Sequence, residues 1–192
     1  SRFVGGSAVL NAGKSRIWGI EADTSISPFH GFRLDAGYAY LNTQVQQLTI
    51  PPIPAAAQGL VAAVVSTSRP GDALAYSPKH RLTVSANYTL PLDDSIGDIT
   101  FGGTFTYTSS QIASTNTAPQ FLPLTSRSLL NLNASWNNIL GNPVDLSFFM
   151  TNVENKKYVL SVSQSYGSMG FESVVPNEPR MFGFRLKYRF GS

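Results

Sequence analysis

Cysteine is absent from this 192-residue chain, histidine occurs only twice, and charged residues make up 13% of the total. Without cysteine there is no disulfide framework, no thiolate metal site and no cysteine nucleophile. Export through an oxidising compartment is compatible with that absence. The charged fraction is about half the quarter usual in globular domains. A net charge of +3 with no Lys/Arg-rich run leaves no nucleic-acid footprint, even at a pI near 9.3. His30 and His80 belong to opposite rims of the strand plan set out below. A metal site needs more clustered ligands, so both are expected to be solvated, and neither metal nor cofactor is expected. No serine stands out beside His80, and Gly167-Ser168-Met169-Gly170 misses the nucleophile-elbow spacing, so the chain is not expected to be an enzyme.

Long apolar runs are missing too. Ala36 to Ser68 carries no charge, but Gln44, Gln46, Gln47, Pro51, Pro52 and Pro54 interrupt it, and Gly59 to Val65 is too short to span a bilayer as a helix. Ser1 to Gly6 lacks the arrangement of a signal peptide, so the expectation is a mature, trimmed or partial sequence.

What is present is alternation. In Met181 to Phe190 one row reads Phe182, Phe184, Leu186, Tyr188, Phe190 and the other Met181, Gly183, Arg185, Lys187, Arg189. Period two is the mark of a strand with unlike environments on its two faces, and about ten residues is the length of a tilted strand crossing a bilayer. The device recurs. Trp18, Ile20 and Ala22 alternate with Glu21 and Asp23; Phe32, Leu34, Ala36, Tyr38 and Tyr40 alternate with Arg33, Asp35, Gly37 and Ala39. Further strands are read at Arg81–Leu90, at 98–108, at 130–137 and at 144–151, where Phe149 is an apolar intruder on the polar face. Ser1 to Leu10 is a candidate partial strand, and Asn11 to Lys14 a tight turn.

The connections alternate in length. Those at Pro28, Asp93 and Gly141 are short, whereas Val45–Lys79, Gln111–Thr125 and Glu154–Pro179 are long. Short turns on one rim and long loops on the other are the plan of an outer-membrane barrel, periplasmic and extracellular respectively. Tyr40, Tyr88, Tyr107, Trp136 and Tyr188 sit near strand ends as an aromatic girdle does. A mean hydropathy of −0.03 with scarce charge fits strands that are half polar and face inward. The fold class is therefore all-β, an antiparallel transmembrane β-barrel with seven to eight strands present.

Four segments then resemble, in order, those of TonB-dependent outer-membrane receptors. Asn11-Ala12-Gly13-Lys14-Ser15-Arg16-Ile17-Trp18-Gly19-Ile20-Glu21 is similar to a barrel hairpin of that family. Tyr76-Ser77-Pro78-Lys79-His80-Arg81 resembles a strand entry, and Phe148 to Tyr158, with Asn152, a further family segment. Glu178-Pro179-Arg180 before the terminal aromatic strand looks like the family's close. Val153-Glu154-Asn155 departs mildly from the usual Leu-Phe-Asp, and Gly191-Ser192 follow the aromatic residue on which such barrels end. The resemblance implies that residues 1–192 are the C-terminal segment of a 22-stranded barrel whose plug domain is absent here. It further implies nutrient import (siderophore-iron, cobalamin or carbohydrate) across the outer membrane of a Gram-negative bacterium. Its implied partners are membrane lipid, the TonB energy-transducing complex, the barrel-assembly machinery and a small-molecule nutrient. The rival is a self-contained eight-stranded barrel with a structural or adhesive role, which would need Ser1–Leu10 as a strand.

Candidate sites follow from the faces. Glu21, Arg33, Asp35, Arg81, Asp98, Asp145, Arg185, Lys187 and Arg189 point inward and are expected to pair with one another. Gln46, Gln47, Tyr166 and Phe171, with Gln58 and Met169, are the candidate substrate contacts in extracellular loops. Phe182, Phe184, Leu186, Tyr188 and Phe190 form the insertion-signal strand that the resemblance implies. Asn87 and Asn133 match glycosylation sequons but fall inside strands, and are set aside.

Overall fold

The computed structural model describes residues 13–49, 68–113, 123–163 and 170–190. Among these, seven strands form one antiparallel sheet: β1 (Gly13–Ile26), β2 (Phe32–Leu48), β3 (His80–Thr89), β4 (Asp98–Thr108), β5 (Arg127–Asn137), β6 (Val144–Thr151) and β9 (Met181–Tyr188). Each pairs with the next in that order, so β1 and β9 are the two ends of the sheet. A two-stranded ribbon, β7 (Val159–Val162) with β8 (Val174–Pro176), rises between β6 and β9. One 3-10 turn, Ile139–Gly141, is the only helical segment among the described residues.

From Ser15 onward the register carries the alternating rows across all seven strands without a slip of face; the one shift, between Lys14 and Ser15, lies at the upper end of the β1–β2 pair. Leu34 faces Ile26 and Ala86; Tyr88 faces Phe32 and Phe101; Phe105 faces Val84 and Leu130. The row continues through Ala134, Phe148 and Phe184 to the last strand. A one-residue shift at any pair would move a whole apolar row to the other face. The consequence is one continuous apolar face, and its side chains are open rather than packed: Phe184 is 70% and Leu186 72% exposed. An apolar face of this extent, with no second layer against it among the described residues, is the surface that a bilayer covers.

Two aromatic belts bound this face. At the short-turn rim Phe29 stacks on Phe32 and meets Tyr88 edge-on, and the Trp136 indole N–H donates to the Ile96 carbonyl at 2.8 Å. Toward the other rim Trp18 packs edge-on against Tyr40, which lies against His80. Along β3 the eight-residue step from His80 to Tyr88 is ~26 Å, or ~20 Å when tilted about 40°, close to the apolar band of such barrels.

Four expectations are corrected here. His80 is half-exposed but not free: its Nδ1 lies 2.8 Å from the Tyr38 hydroxyl, and the ring packs between Tyr38 and Tyr40 on the apolar face. Tyr40 lies mid-strand because β2 runs on to Leu48, and Gly13 and Lys14 are not a turn but strand residues opposite Leu48 and Gln47. The connection from Glu154 to Pro179 contains the β7–β8 ribbon. The candidate strand Ser1–Leu10 and the apolar stretch Gly59–Val65 lie outside the described residues.

Only Phe32–Tyr40 of β2 pairs with β3; Leu41–Leu48 pairs with β1 alone and projects beyond the sheet. The returning segment 68–79 lies along this projection. Val45 N–H donates to the Asp72 carbonyl, Gly71 N–H to the Val45 carbonyl, and Leu74 N–H to Thr43 Oγ1. Thr43 and Val45 are buried as a result.

Candidate functional site

The polar face is built by the second row of each strand. Its charges pair less completely than expected. Arg33 grips Asp35 through two nitrogens at 2.8 and 2.9 Å, the same-face spacing of residues two apart on a strand. Arg189 meets Asp145 at 3.1 Å, and the same carboxylate accepts from Asn138 N–H at 3.0 Å. Glu21, Arg81, Asp98, Arg185 and Lys187 form no ion pair among the described residues. Lys187 does stand opposite Asp145, but Arg189 takes that carboxylate.

Glycines set the relief of this face at two places. Phe149, the apolar intruder, is opposite Gly183, and a Cβ there would sit 2.9 Å from two of its ring carbons, so the ring lies flat across the strand. Gly102 lies between Asn87 and Asn133, whose amides close over it to 2.6 Å of a Cβ position.

Near the long-loop rim one transverse row reads Glu21, Ala39, Arg81, Thr108, Arg127. Glu21 and Arg81 are two strands apart, ~10 Å at the backbone, with only a methyl group between them. Ile17, Leu41, Tyr76 and Pro78 complete a hollow of about 530 Å³ over this gap. The hollow therefore offers a carboxylate, a guanidinium, an aromatic ring and apolar walls, a set that fits a small organic ligand of mixed polarity. Arg127 extends the row, its guanidinium 5.6 Å above the centre of the Tyr158 ring. Burial raises the Tyr158 hydroxyl above its ordinary pKa, and Arg127 acts in the lowering direction.

Above the hollow the connections interlock. The most buried apolar residues among those described are Ala113, Leu124 and Val162, from the β4–β5 connection and β7, with Val159 packed beside them. Tyr76 joins this cluster to the returning segment. Its N–H donates to the Ile112 carbonyl at 2.8 Å, and its hydroxyl lies 3.3 Å from both the carbonyl and the N–H of Val162.

An asparagine group fixes the foot of the ribbon. Asn152, 3% exposed and at φ 48°, donates through Nδ2 to the carbonyls of Lys156 and Glu178, while its Oδ1 accepts from Lys156 N–H. Asn177 donates to the same two carbonyls and accepts from Tyr158 N–H. No period in the sequence flags these residues as a unit; their only signal was Asn152 within a family-like segment.

Of the candidate contacts, Gln46 and Gln47 are not in a loop but are exposed residues at the upper end of β2. Phe171 is exposed just before β8. Tyr166, Met169 and Gln58 lie outside the described residues. Phe182, Phe184, Leu186 and Tyr188 form the apolar row of β9, and Phe190 follows the strand end, edge-on to Tyr188. Among the described residues no group of three or more His, Asp or Glu is placed to hold a metal, and no helix is long and apolar enough to cross a membrane.

An antiparallel wall with one apolar face, two aromatic belts and long connections at one rim is the wall of a transmembrane β-barrel. The family model described as "TonB dependent receptor-like, beta-barrel" matches residues 2–155. The chain belongs to that family, whose members are outer-membrane receptors rather than enzymes, bind small-molecule nutrients and interact with TonB. No curated protein matches it by sequence. Among solved structures it is similar to the siderophore receptor PiuA from Acinetobacter baumannii, at 18% identity and a TM-score of 0.67, over 92% of this chain and 22% of that one. The ferric yersiniabactin uptake receptor FyuA from Yersinia pestis aligns at 13% identity and 0.69, over 94% and 24%. BauA, the ferric preacinetobactin receptor from Acinetobacter baumannii, aligns at 20% and 0.63, over 92% and 22%. The chain thus spans between a fifth and a quarter of these neighbours' length.

Proposed function

We propose that residues 1–192 form the C-terminal wall and rim of an outer-membrane receptor that imports a ferric chelate in a TonB-dependent way. The observation that carries this reading is the alignment of nearly the whole chain with part of siderophore and ferric-siderophore receptors. The row Glu21, Arg81, Arg127 supports it, because an iron chelate carries charge and apolar surface together and the hollow offers both. In this reading the segment has no chemistry of its own. It supplies wall, rim contacts that include Gln46, Gln47, Tyr166 and Phe171, and a last strand whose apolar row from Phe182 to Phe190 is read by the assembly machinery. Lipid covers the apolar face, and the TonB complex acts on a plug outside this chain.

The test is growth and iron-55 uptake by cells carrying or lacking the full-length receptor, under iron limitation, with ferric citrate, a ferric tris-catecholate or a ferric tris-hydroxamate as sole iron source. Receptor-dependent uptake of one of these, abolished without TonB, is the expected result. Uptake of all three unchanged by deletion, with a receptor-dependent loss of cobalamin or oligosaccharide uptake instead, would overturn the iron assignment. A native chain of about 20.7 kDa inserted and closed on its own would favour the small adhesive barrel.

A further inference from the structure

We propose that Tyr76 is a positioning residue that couples occupancy of the Glu21–Arg81 hollow to the β7–β8 ribbon, so that a small charged ligand seated against the wall holds the ribbon in place above it. The proposal rests on the receptor reading for the identity of the ligand, and on geometry alone for the coupling. Tyr76 is the residue common to both structures. Its ring lines the hollow beside Leu41, Pro78 and Arg81, and its hydroxyl bridges the carbonyl and the N–H of Val162 in β7. The two groups of Val162 face out of the ribbon edge, and one hydroxyl, donating to the first and accepting from the second, satisfies both.

Two further features set this contact apart from incidental loop packing. Tyr76 has φ +53°, a left-handed backbone that a bulky residue rarely adopts and that only its surroundings impose. Those surroundings are the Ile112 carbonyl, which takes its N–H, and the buried cluster Ala113, Leu124 and Val162 beyond its hydroxyl. Segment 68–79 is in turn tied to the β2 projection at Thr43 and Val45. A ligand that presses on the ring from the hollow thus meets a residue whose backbone and tip are both anchored, and its displacement is passed to β7 rather than absorbed locally. A physical chain of packed groups with a defined element at its far end is what coupling between two sites requires.

The experiment uses the full-length receptor in lipid nanodiscs and does not need the natural ligand. Ala39, midway between Glu21 and Arg81, is changed to cysteine in residues 1–192, which have none of their own, with any cysteine elsewhere in the receptor first replaced by serine, and the thiol is labelled with an N-aryl maleimide to fill the hollow. Amide hydrogen exchange is then followed in the peptide covering Val159–Val162, with and without label, in the A39C background and in A39C with Tyr76→Phe. Labelling is expected to slow exchange in that peptide by about fivefold or more, and Y76F, which keeps the ring but removes the hydroxyl, is expected to abolish the response. An equal response to label with and without the hydroxyl would overturn the proposal, as would no response in either. A purely structural role for Tyr76 predicts faster exchange in Y76F, with label changing it by the same factor as it does in A39C alone. Failure of all three ferric probes in the uptake assay would remove the iron reading and leave this result standing on its own.

Discussion

Replacing Asn152 by alanine tests how the ribbon is held upright. The side chain makes three buried hydrogen bonds, two donated to the Lys156 and Glu178 carbonyls and one accepted from Lys156 N–H. Both carbonyls keep Asn177 as a partner, so the truncation strands chiefly the Lys156 N–H and leaves a small void. The hydrogen bonds together contribute ~1–2 kcal/mol net, since folding exchanges water partners for protein ones. Alanine at φ 48° adds ~1 kcal/mol, because its Cβ crowds the carbonyl in the left-handed region. The expected loss of local stability is therefore ~2–3 kcal/mol, or ~30- to 150-fold faster amide exchange at ~1.4 kcal/mol per decade. Peptides over 153–158 and 177–180 of the full-length receptor in nanodiscs report it, with β3 and β4 as unaffected controls. Asn152→Gly separates the two contributions, because glycine tolerates the backbone and still lacks the amide; it should be milder than alanine by ~1 kcal/mol. Exchange in N152A within about threefold of wild type would refute the assignment of the staple, and N152G as harmful as N152A would refute the backbone share.

On the polar face, Gly183→Leu drives a side chain into the Phe149 ring, already 2.9 Å from a Cβ there, and is expected to reduce folded receptor in outer-membrane fractions, with Phe149→Ala restoring it. Leu186→Arg places a charge on the lipid face where the side chain is 72% exposed, a penalty of ~2–4 kcal/mol near the bilayer midplane, whereas its neighbour Arg185→Gln on the polar face should assemble normally; equal assembly of the two, scored by heat-modifiable mobility on gels, would reverse the facing. In the short turn after β3, hydrogen bonds from the Ser95 hydroxyl and N–H hold the Asp93 carboxyl below the ordinary carboxylate range. A depressed folded pKa means that its contribution to turn stability is complete above the ordinary value near 4 and is lost as pH falls through the lower folded one. Exchange in 92–97 should accelerate over that acidic window in wild type, and Asp93→Asn should flatten the dependence.

Alternation made the wall legible because each strand meets two different media, and the residues had to obey a period of two in both. That is why all seven strands of the main sheet were found with their faces. The projection of β2 was not legible. Past Tyr40 the apolar row ends, since Asn42, Gln44 and Gln46 stand above the bilayer where nothing demands apolar side chains. The ribbon β7–β8 is too short to show a period, and its stability comes from Asn152, Asn177 and Tyr76, whose partners lie up to 86 residues away. The inward charges misled for a related reason: same-face adjacency allows a pair, but Arg189, reaching past the strand end to Asp145, shows that the partner is chosen by reach and not by register.

The upper half of β2, paired with β1 on one edge and braced by segment 68–79 instead of β3 on the other, stands ~26 Å beyond the first residue of β3. A rim made of slack loops would have to order itself around each arriving molecule and lose affinity in doing so. Here the ordering is completed when the chain folds. Under the receptor function proposed above, an incoming solute would meet a palisade whose Gln44, Gln46 and Gln47 are already in position, and capture at this part of the rim would be a matter of collision geometry, with little left for induced rearrangement to decide.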